Sequence, residues 1–264
     1  MSKLGGGGCG LRNLKKEIED KVRSTYINTN IIRRKELYRL LVENFYPELK
    51  ASTFDWRIYE LKKSKVIVPV KQGVYKLSKE INIYNPVVSG MQKKINQLIN
   101  NKYKTISYCS WNSNWLNDFS RHQAFSNILF LDVEKEFMQS IFYLLLDNSF
   151  KNVYLYQDQS IIDNYISENK ESIVIISLVS KSPIYKIGRV PVPQLEKILV
   201  DIFCDKKLLY AYKGEEIVSI FQNAFDEYII DISKLINYSR RRKRENQIKA
   251  FLIQNHILEK ELFI

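Results

Sequence analysis

Apolar residues recur at helical spacing three times in the first 61 positions. Leu11, Leu14, Ile18 and Val22 form one stripe, Leu37, Leu40, Leu41 and Phe45 a second, and Phe54, Ile58 and Leu61 a third. The first predicts a helix over 11–26. The second predicts one over 34–46, closed by Pro47. The third begins near Ser52, a good N-cap residue, with Asp55 three positions on in an approximate capping box. The period then shifts to two. "KVIVPV", Gly73 and "VYKLSKEI" predict two short strands joined by a tight turn. Three helices followed by a hairpin is the order of a winged helix-turn-helix. Pro86 and "VVSG" suggest its end, which gives a domain over 11–85.

Beyond residue 86 short apolar runs alternate with amphipathic stretches. "TISYCS", "NILFLDV", "NVYLYQ" and "SIVIISLV" read as strands. "NSNWLNDFSRH", "EKEFMQSIFYLLLDN" and "SIIDNYISENK" read as helices between them. That alternation predicts a mixed α/β domain over 86–264 with a mainly parallel sheet, α+β for the chain as a whole. "VPVPQLEKILVDIFCD" passes through two prolines into a helix, with Leu195, Ile198, Leu199 and Ile202 inward and Glu196, Lys197 and Asp201 towards the other side. Two further helices are expected over about 214–229 and 231–256. Residues 1–10, "MSKLGGGGCG", are glycine-rich and read as a flexible leader.

Charge changes this picture more than bulk composition does. Hydrophobic residues make up 45% and charged residues 27%, an ordinary globular balance. The net charge of +12 is uneven. Residues 1–80 hold 18 Lys/Arg against 9 Asp/Glu, residues 81–230 hold 15 against 16, and residues 231–264 hold 8 against 4. A basic head points to a polyanion, and double-stranded DNA is the commonest one. No apolar run approaches the ~20 residues of a membrane span, and three distant cysteines suit a reducing cytoplasm better than a disulfide framework.

On the third helix Ser52, Trp56, Tyr59, Glu60 and Lys63 point away from the apolar stripe. Ser52, Thr53 and Tyr59 suit phosphates or base edges, and Lys63 suits a phosphate. Trp56 has two readings: packing under the wing or on the second domain, or contact with DNA sugar or a partner protein. Arg57, on the flank, either meets a phosphate or makes a local ion pair. At the hairpin, Gly73 permits the tight turn, Gln72 precedes it, and Lys71 and Lys76 flank it for a phosphate strand.

Enzyme signals are weak. Asp132, Glu134 and Lys135 in "FLDVEKE" raise a magnesium-dependent nuclease, but their order departs from the acid–any–lysine pattern, and an acidic helix start accounts for them. Asp158 stands alone near a strand end, and His122 suits a structural hydrogen bond. No phosphate-binding loop, catalytic nucleophile, metal set or cofactor signature is expected. The run Arg240, Arg241, Arg242, Lys243 and Arg244 spans more than one helical turn, so its charges point all round a helix running on to Leu252. It either solvates a helix end beside acids or meets a nucleic-acid or protein partner.

"STFDWRIYELKKSKVIVPVKQGVYKL", "WNSNWLNDFSRHQAFSNILFLDVEKEFMQSIFYLL", "VPVPQLEKILVDIF" and "INYSRRRKRE", in that order, resemble the AbiEi-type antitoxins of bacterial type IV toxin–antitoxin systems over about residues 30–250. The resemblance implies a winged-helix head and an antitoxin domain. It implies a cytoplasmic repressor of its own operon that binds operator DNA and serves in phage defence. It also implies a nucleotidyltransferase-like toxin as functional partner, countered without a stable complex, and assigns residues 240–244 to the antitoxin surface. Two departures stand out: Gln72 where a basic residue often precedes the wing glycine, and Ser64–Lys65 where a glycine often precedes the hairpin. A magnesium-dependent nuclease and a winged-helix protein adaptor are the competing readings.

Overall fold

A computed structural model of the chain describes residues 7–27, 29, 31–78, 83–121, 127–156, 171–205 and 207–263. The chain divides into two compact units, Met1–Ile81 and Asn82–Ile264, a few residues before the boundary that Pro86 suggests.

In the first unit the elements are α1 (Gly7–Tyr26), β1 (Ile32–Arg33), α2 (Arg34–Asn44), α3 (Ala51–Lys63), β2 (Ile67–Lys71) and β3 (Val74–Leu77). The expected leader is shorter than ten residues, because Gly7–Gly10 already belong to α1. Glycine costs a helix about 1 kcal/mol per residue relative to alanine, and extending a formed helix is far easier than nucleating one. Residues 1–6 lie outside the described residues. The strands pair antiparallel in the order β1-β3-β2. Ile18, Val22, Leu37, Leu41, Phe54, Ile58, Leu61, Ile67 and Tyr75 share one buried core, so all three apolar stripes meet there.

Helix α3 starts earlier than its expected cap. Lys50 is the N-cap and makes no side-chain capping bond, while Ser52 lies in the first turn. Asp55 is drawn away from the backbone by the guanidinium of Arg34 on α2, so the approximate capping box does not form. At the other end Lys65 takes a left-handed conformation, φ 53°. Its N–H donates to the Lys62 carbonyl (3.1 Å), and the Val66 N–H to the Leu61 carbonyl (2.9 Å). This is the Schellman closure usually built on glycine.

The second unit opens with α4 (Gly90–Lys102), capped reciprocally by Ser89 and Gln92. Then come β4 (Tyr108–Asn112), β5 (Asn127–Val133), α5 (Met138–Asp147), β6 (Val153–Leu155) and β7 (Glu171–Ser177). Two 3-10 turns, Ser113–Asp118 and Lys135–Phe137, stand where sequence predicts a helix and the start of α5. The sheet order is β4-β5-β7-β6. β5, β7 and β6 run parallel, and β4 is antiparallel at the edge. The sheet is therefore mixed. Leu129, Leu131 and Val133 on β5 join Ile95, Ile99, Ile141 and Leu145 of α4 and α5 in one core. The expected helix in "SIIDNYISENK" lies outside the described residues.

After β7 comes a hairpin absent from the sequence reading, β8 (Ile184–Ile187) with β9 (Val190–Pro193), turning at Gly188 with φ 60°. Pro191 and Pro193 argue against a strand from sequence, but a two-stranded ribbon leaves outer edges where proline is tolerated. Helices α6 (Leu195–Cys204), α7 (Glu215–Glu227), α8 (Ile232–Arg241) and α9 (Glu245–Gln254) complete the unit. The helix expected over 231–256 is thus two helices. Lys243, φ 56°, turns the chain between them. Its N–H donates to the Arg240 carbonyl (3.0 Å) and the Arg244 N–H to the Ser239 carbonyl (2.9 Å), a second Schellman closure.

Candidate functional site

Seven of the thirteen residues of α3 are exposed. Ser52, Trp56, Tyr59 and Lys63 are exposed, Trp56 by 49% and Tyr59 by 56%, and Lys62 adds a second cation. Thr53 is half-buried. The apolar stripe at Phe54, Ile58 and Leu61 holds the opposite side in the core. Arg57 requires a correction as a phosphate ligand. It is only 5% exposed, donates to Glu60 at 2.7 Å and to the Tyr46 hydroxyl, and lies 4.6 Å from the Trp56 ring centroid. The position after Trp56 turns under the helix, where a guanidinium stays only if paired. Glu60, read as outward, is half-buried and serves as that partner.

The hairpin turn is tied to this face by Arg34. Its backbone N–H donates to the Gly73 carbonyl (2.8 Å), and its guanidinium reaches Asp55 on the exposed side of α3 while covering the Phe54 ring at 4.7 Å. Gly73 has φ 73°, which a side chain would strain. Gln72 is exposed, whereas Lys71 and Lys76 are half-buried. A β-bulge between Pro69 and Lys71 shifts the register just before the turn. Sequence reasoning overlooked Arg34. Its only signal was a basic pair, Arg33–Arg34, at the start of a helix.

In the second unit the five consecutive cations part company. Arg240, Arg241 and Lys243 line one wall of a groove of about 800 Å³, which also takes in Lys181 and Lys234. Arg242 turns inward instead, within 3.6 Å of Asp201. Arg244 is half-buried and is not in the groove wall. Arg240 pairs with Glu245 at 2.5 Å, and Lys234 lies 3.9 Å from Asp231. Lys181, Arg241 and Lys243 make no ion pair among the described residues. Tyr238, 2% exposed, forms part of the lining. The contributions of Lys181 and Lys234 were invisible in sequence, because the groove is assembled from three separate segments.

Beneath Tyr238 lies a buried charge cluster. Helix α6 is enclosed nearly all round, so Glu196, Lys197 and Asp201, read as outward, are 6%, 0% and 6% exposed. Lys197 Nζ donates to Asp132 Oδ1 (2.8 Å) and Asp201 Oδ2 (2.5 Å), and the Tyr238 hydroxyl donates to Asp201 Oδ1 (2.9 Å). Cys109, opposite Asp132 in the β4–β5 ladder, places its thiol 3.7 Å from Asp132 Oδ2. Burial alone would strip the proton from Lys197, but the two carboxylates outweigh it and hold the ammonium charged. Burial and then the Asp132 and Asp201 carboxylates push the Cys109 thiol well up, so it stays a thiol. Burial likewise raises the Tyr238 phenol, which remains a donor. Two carboxylates, Lys197 and Arg242 leave the cluster electrically balanced.

This arrangement separates the acidic set of "FLDVEKE". Asp132 is spent on Lys197, while Glu134 and Lys135 line a different cavity of about 430 Å³. No group of three or more metal-ligating side chains converges among the described residues. His122 and Asp158 lie outside the described residues. No helix among the described residues is long and apolar enough to cross a membrane.

A model described as a family of unknown function, DUF6577, matches residues 53–258, which is most of the chain; the chain therefore belongs to that family. The match begins inside α3 and includes the hairpin and nearly all of the second unit. No curated protein matches the sequence.

Proposed function

We propose that this member of the DUF6577 family is a DNA-binding transcriptional autorepressor that also acts as the antitoxin of a type IV toxin–antitoxin system. One observation carries the DNA reading. The exposed face of α3 bears hydroxyl, aromatic and cationic side chains, and Arg34 ties that face to a glycine-turned hairpin. Helices α1 to α3 with an antiparallel sheet are the parts of a winged helix-turn-helix, with α3 as recognition helix and the β2–β3 turn as wing. Ser52, Thr53, Trp56, Tyr59, Lys63, Lys71, Gln72, Gly73 and Lys76 form this proposed DNA surface, with Lys62 added and Arg57 removed. The antitoxin half rests on the resemblance to AbiEi-type proteins. It assigns the run at 240–244, of which Arg240, Arg241 and Lys243 stand in the groove wall, to countering a nucleotidyltransferase-like toxin, without a stable complex.

Gel-shift titration against the DNA upstream of the gene tests the repressor reading. The full chain is expected to bind inverted repeats there, with affinity falling steeply as salt rises. Lys63→Ala with Lys71→Ala removes about two phosphate contacts and lowers the salt slope by about 2. An unchanged affinity and slope would overturn the assignment of this face. Failure to shift any DNA favours the protein-adaptor reading instead.

A further inference from the structure

We infer that the groove between α8 and the segment Lys181–Ile184 is a binding site for a polyphosphate chain of the size carried by a nucleoside triphosphate. Five cations, Lys181, Lys234, Arg240, Arg241 and Lys243, line about 800 Å³ without a single carboxylate among the lining residues. Drug- and nucleotide-sized ligands occupy pockets of this magnitude. Each phosphate in a chain carries about one negative charge and the terminal one up to about two. Glu245 and Asp231 already answer part of the charge of Arg240 and Lys234, and Lys181, Arg241 and Lys243 remain for a triphosphate, whereas a monophosphate leaves most of that charge unanswered.

The chain breaks three local rules to gather these cations. Lys181 and Lys243 adopt left-handed backbone, φ 58° and 56°, where glycine or asparagine is the easy choice. Lys234 stands in the first turn of α8, at the end of the helix dipole that disfavours a cation. Local rules broken together at one concave place mark a functional site more often than a structural one. The remaining lining fits a nucleotide: Asn237 and Gln194 supply amides, and Pro183, Ile184 and the Tyr238 ring supply a small apolar floor. Tyr238 is fixed from below by its bond to Asp201, so that floor is rigid.

The inference stands apart from the repressor reading, since neither operator nor toxin is needed to test it. Calorimetric titration of the full chain with inorganic tripolyphosphate at 0.15 M salt is expected to show one saturable site. Arg241→Glu with Lys243→Glu is expected to weaken it at least tenfold, while Lys63→Glu on α3 leaves it unchanged. If the double variant does not fold, judged by its thermal melt, Arg241→Gln is read instead, with a threefold or greater loss expected. Two titrations then separate the sources of the triphosphate, one with the four ribonucleoside triphosphates and one with a 5′-triphosphorylated oligoribonucleotide beside its 5′-hydroxyl form. Tight binding in either series supports the site. No saturable tripolyphosphate binding, equal affinity for adenosine monophosphate, or loss on Lys63→Glu alone would overturn it.

Discussion

Both basic regions of this protein close a helix with a left-handed lysine, Lys65 after α3 and Lys243 after α8, yet they rest on different foundations. Beneath the exposed face of α3 lie Phe54, Ile58 and Leu61, an apolar core with one ion pair, Arg57–Glu60, at its edge. Beneath the groove at α8 lie Tyr238, Asp201, Lys197 and Asp132, a chain of buried charges. The first presents its cations on the outward face of a helix, which suits a partner that is itself an extended surface. The second presents them inward around a concavity, which suits a ligand small enough to be surrounded. Positive charge thus carries different expectations according to the curvature beneath it.

The difference is tested most severely at Lys197. Lys197→Met leaves the buried Asp132 and Asp201 with the half-buried Arg242 as their one remaining cation, and removing one partner of a buried ion pair costs about 3–5 kcal/mol. Hydrogen exchange is expected to quicken throughout Asn82–Ile264 and to stay unchanged over 32–77, whose core belongs to the other compact unit. Adding Asp132→Asn rebalances the charge and is expected to recover at least about 1 kcal/mol of the loss. Equal acceleration in both units would erase the distinction between the two foundations.

A smaller effect is expected at the two lysine closures. Lys65→Gly and Lys243→Gly each relieve a left-handed conformation and are expected to raise stability by up to about 1 kcal/mol in urea melts. Their shared sign sharpens the likeness. Lys243→Gly is also expected to weaken tripolyphosphate binding at least twofold, whereas Lys65→Gly leaves it unchanged.

The smallest effect belongs to the rim pair of Arg240 and Glu245. Hydrogen bonds from Arg240 and then Lys249 lower the Glu245 carboxyl to about 2. A depressed carboxyl contributes stability fully above its unfolded value near 4.5 and loses it as pH falls towards 2. NMR titration of Glu245 is expected to find it still ionised at pH 4. Solvent screening keeps the gain small.

Periodicity made α2, α3, the β2–β3 hairpin, β5, α6 and α7 readable, because each buries one face and repeats its apolar residues accordingly. The β8–β9 hairpin escaped because its prolines mimic a loop. The break at Lys243 escaped because a lysine does there what glycine usually announces. The outward reading of Lys197 failed for another reason. Helical spacing assigns residues to sides, but α6 has no solvent side, and only tertiary packing decides that. The groove shared this difficulty, since Lys181 and Lys234 are remote in sequence and ordinary in context. The conspicuous run at 240–244 contributed three of the groove's five cations and turned the half-buried Arg242 towards Asp201.

That inward arginine completes a neutral cluster with Asp132, Lys197 and Asp201, and the neutrality binds these positions into one unit of inheritance. A lineage that replaces Lys197 with an apolar residue must also surrender a carboxylate, because the interior does not tolerate the remainder. Across the family, therefore, 132, 197, 201 and 242 are expected to change in concert or not at all, however far apart they stand along the chain. The cations of the groove wall face a concavity rather than one another, so each can change without leaving a buried charge unpaired, and their pattern of change should separate from that of the cluster beneath.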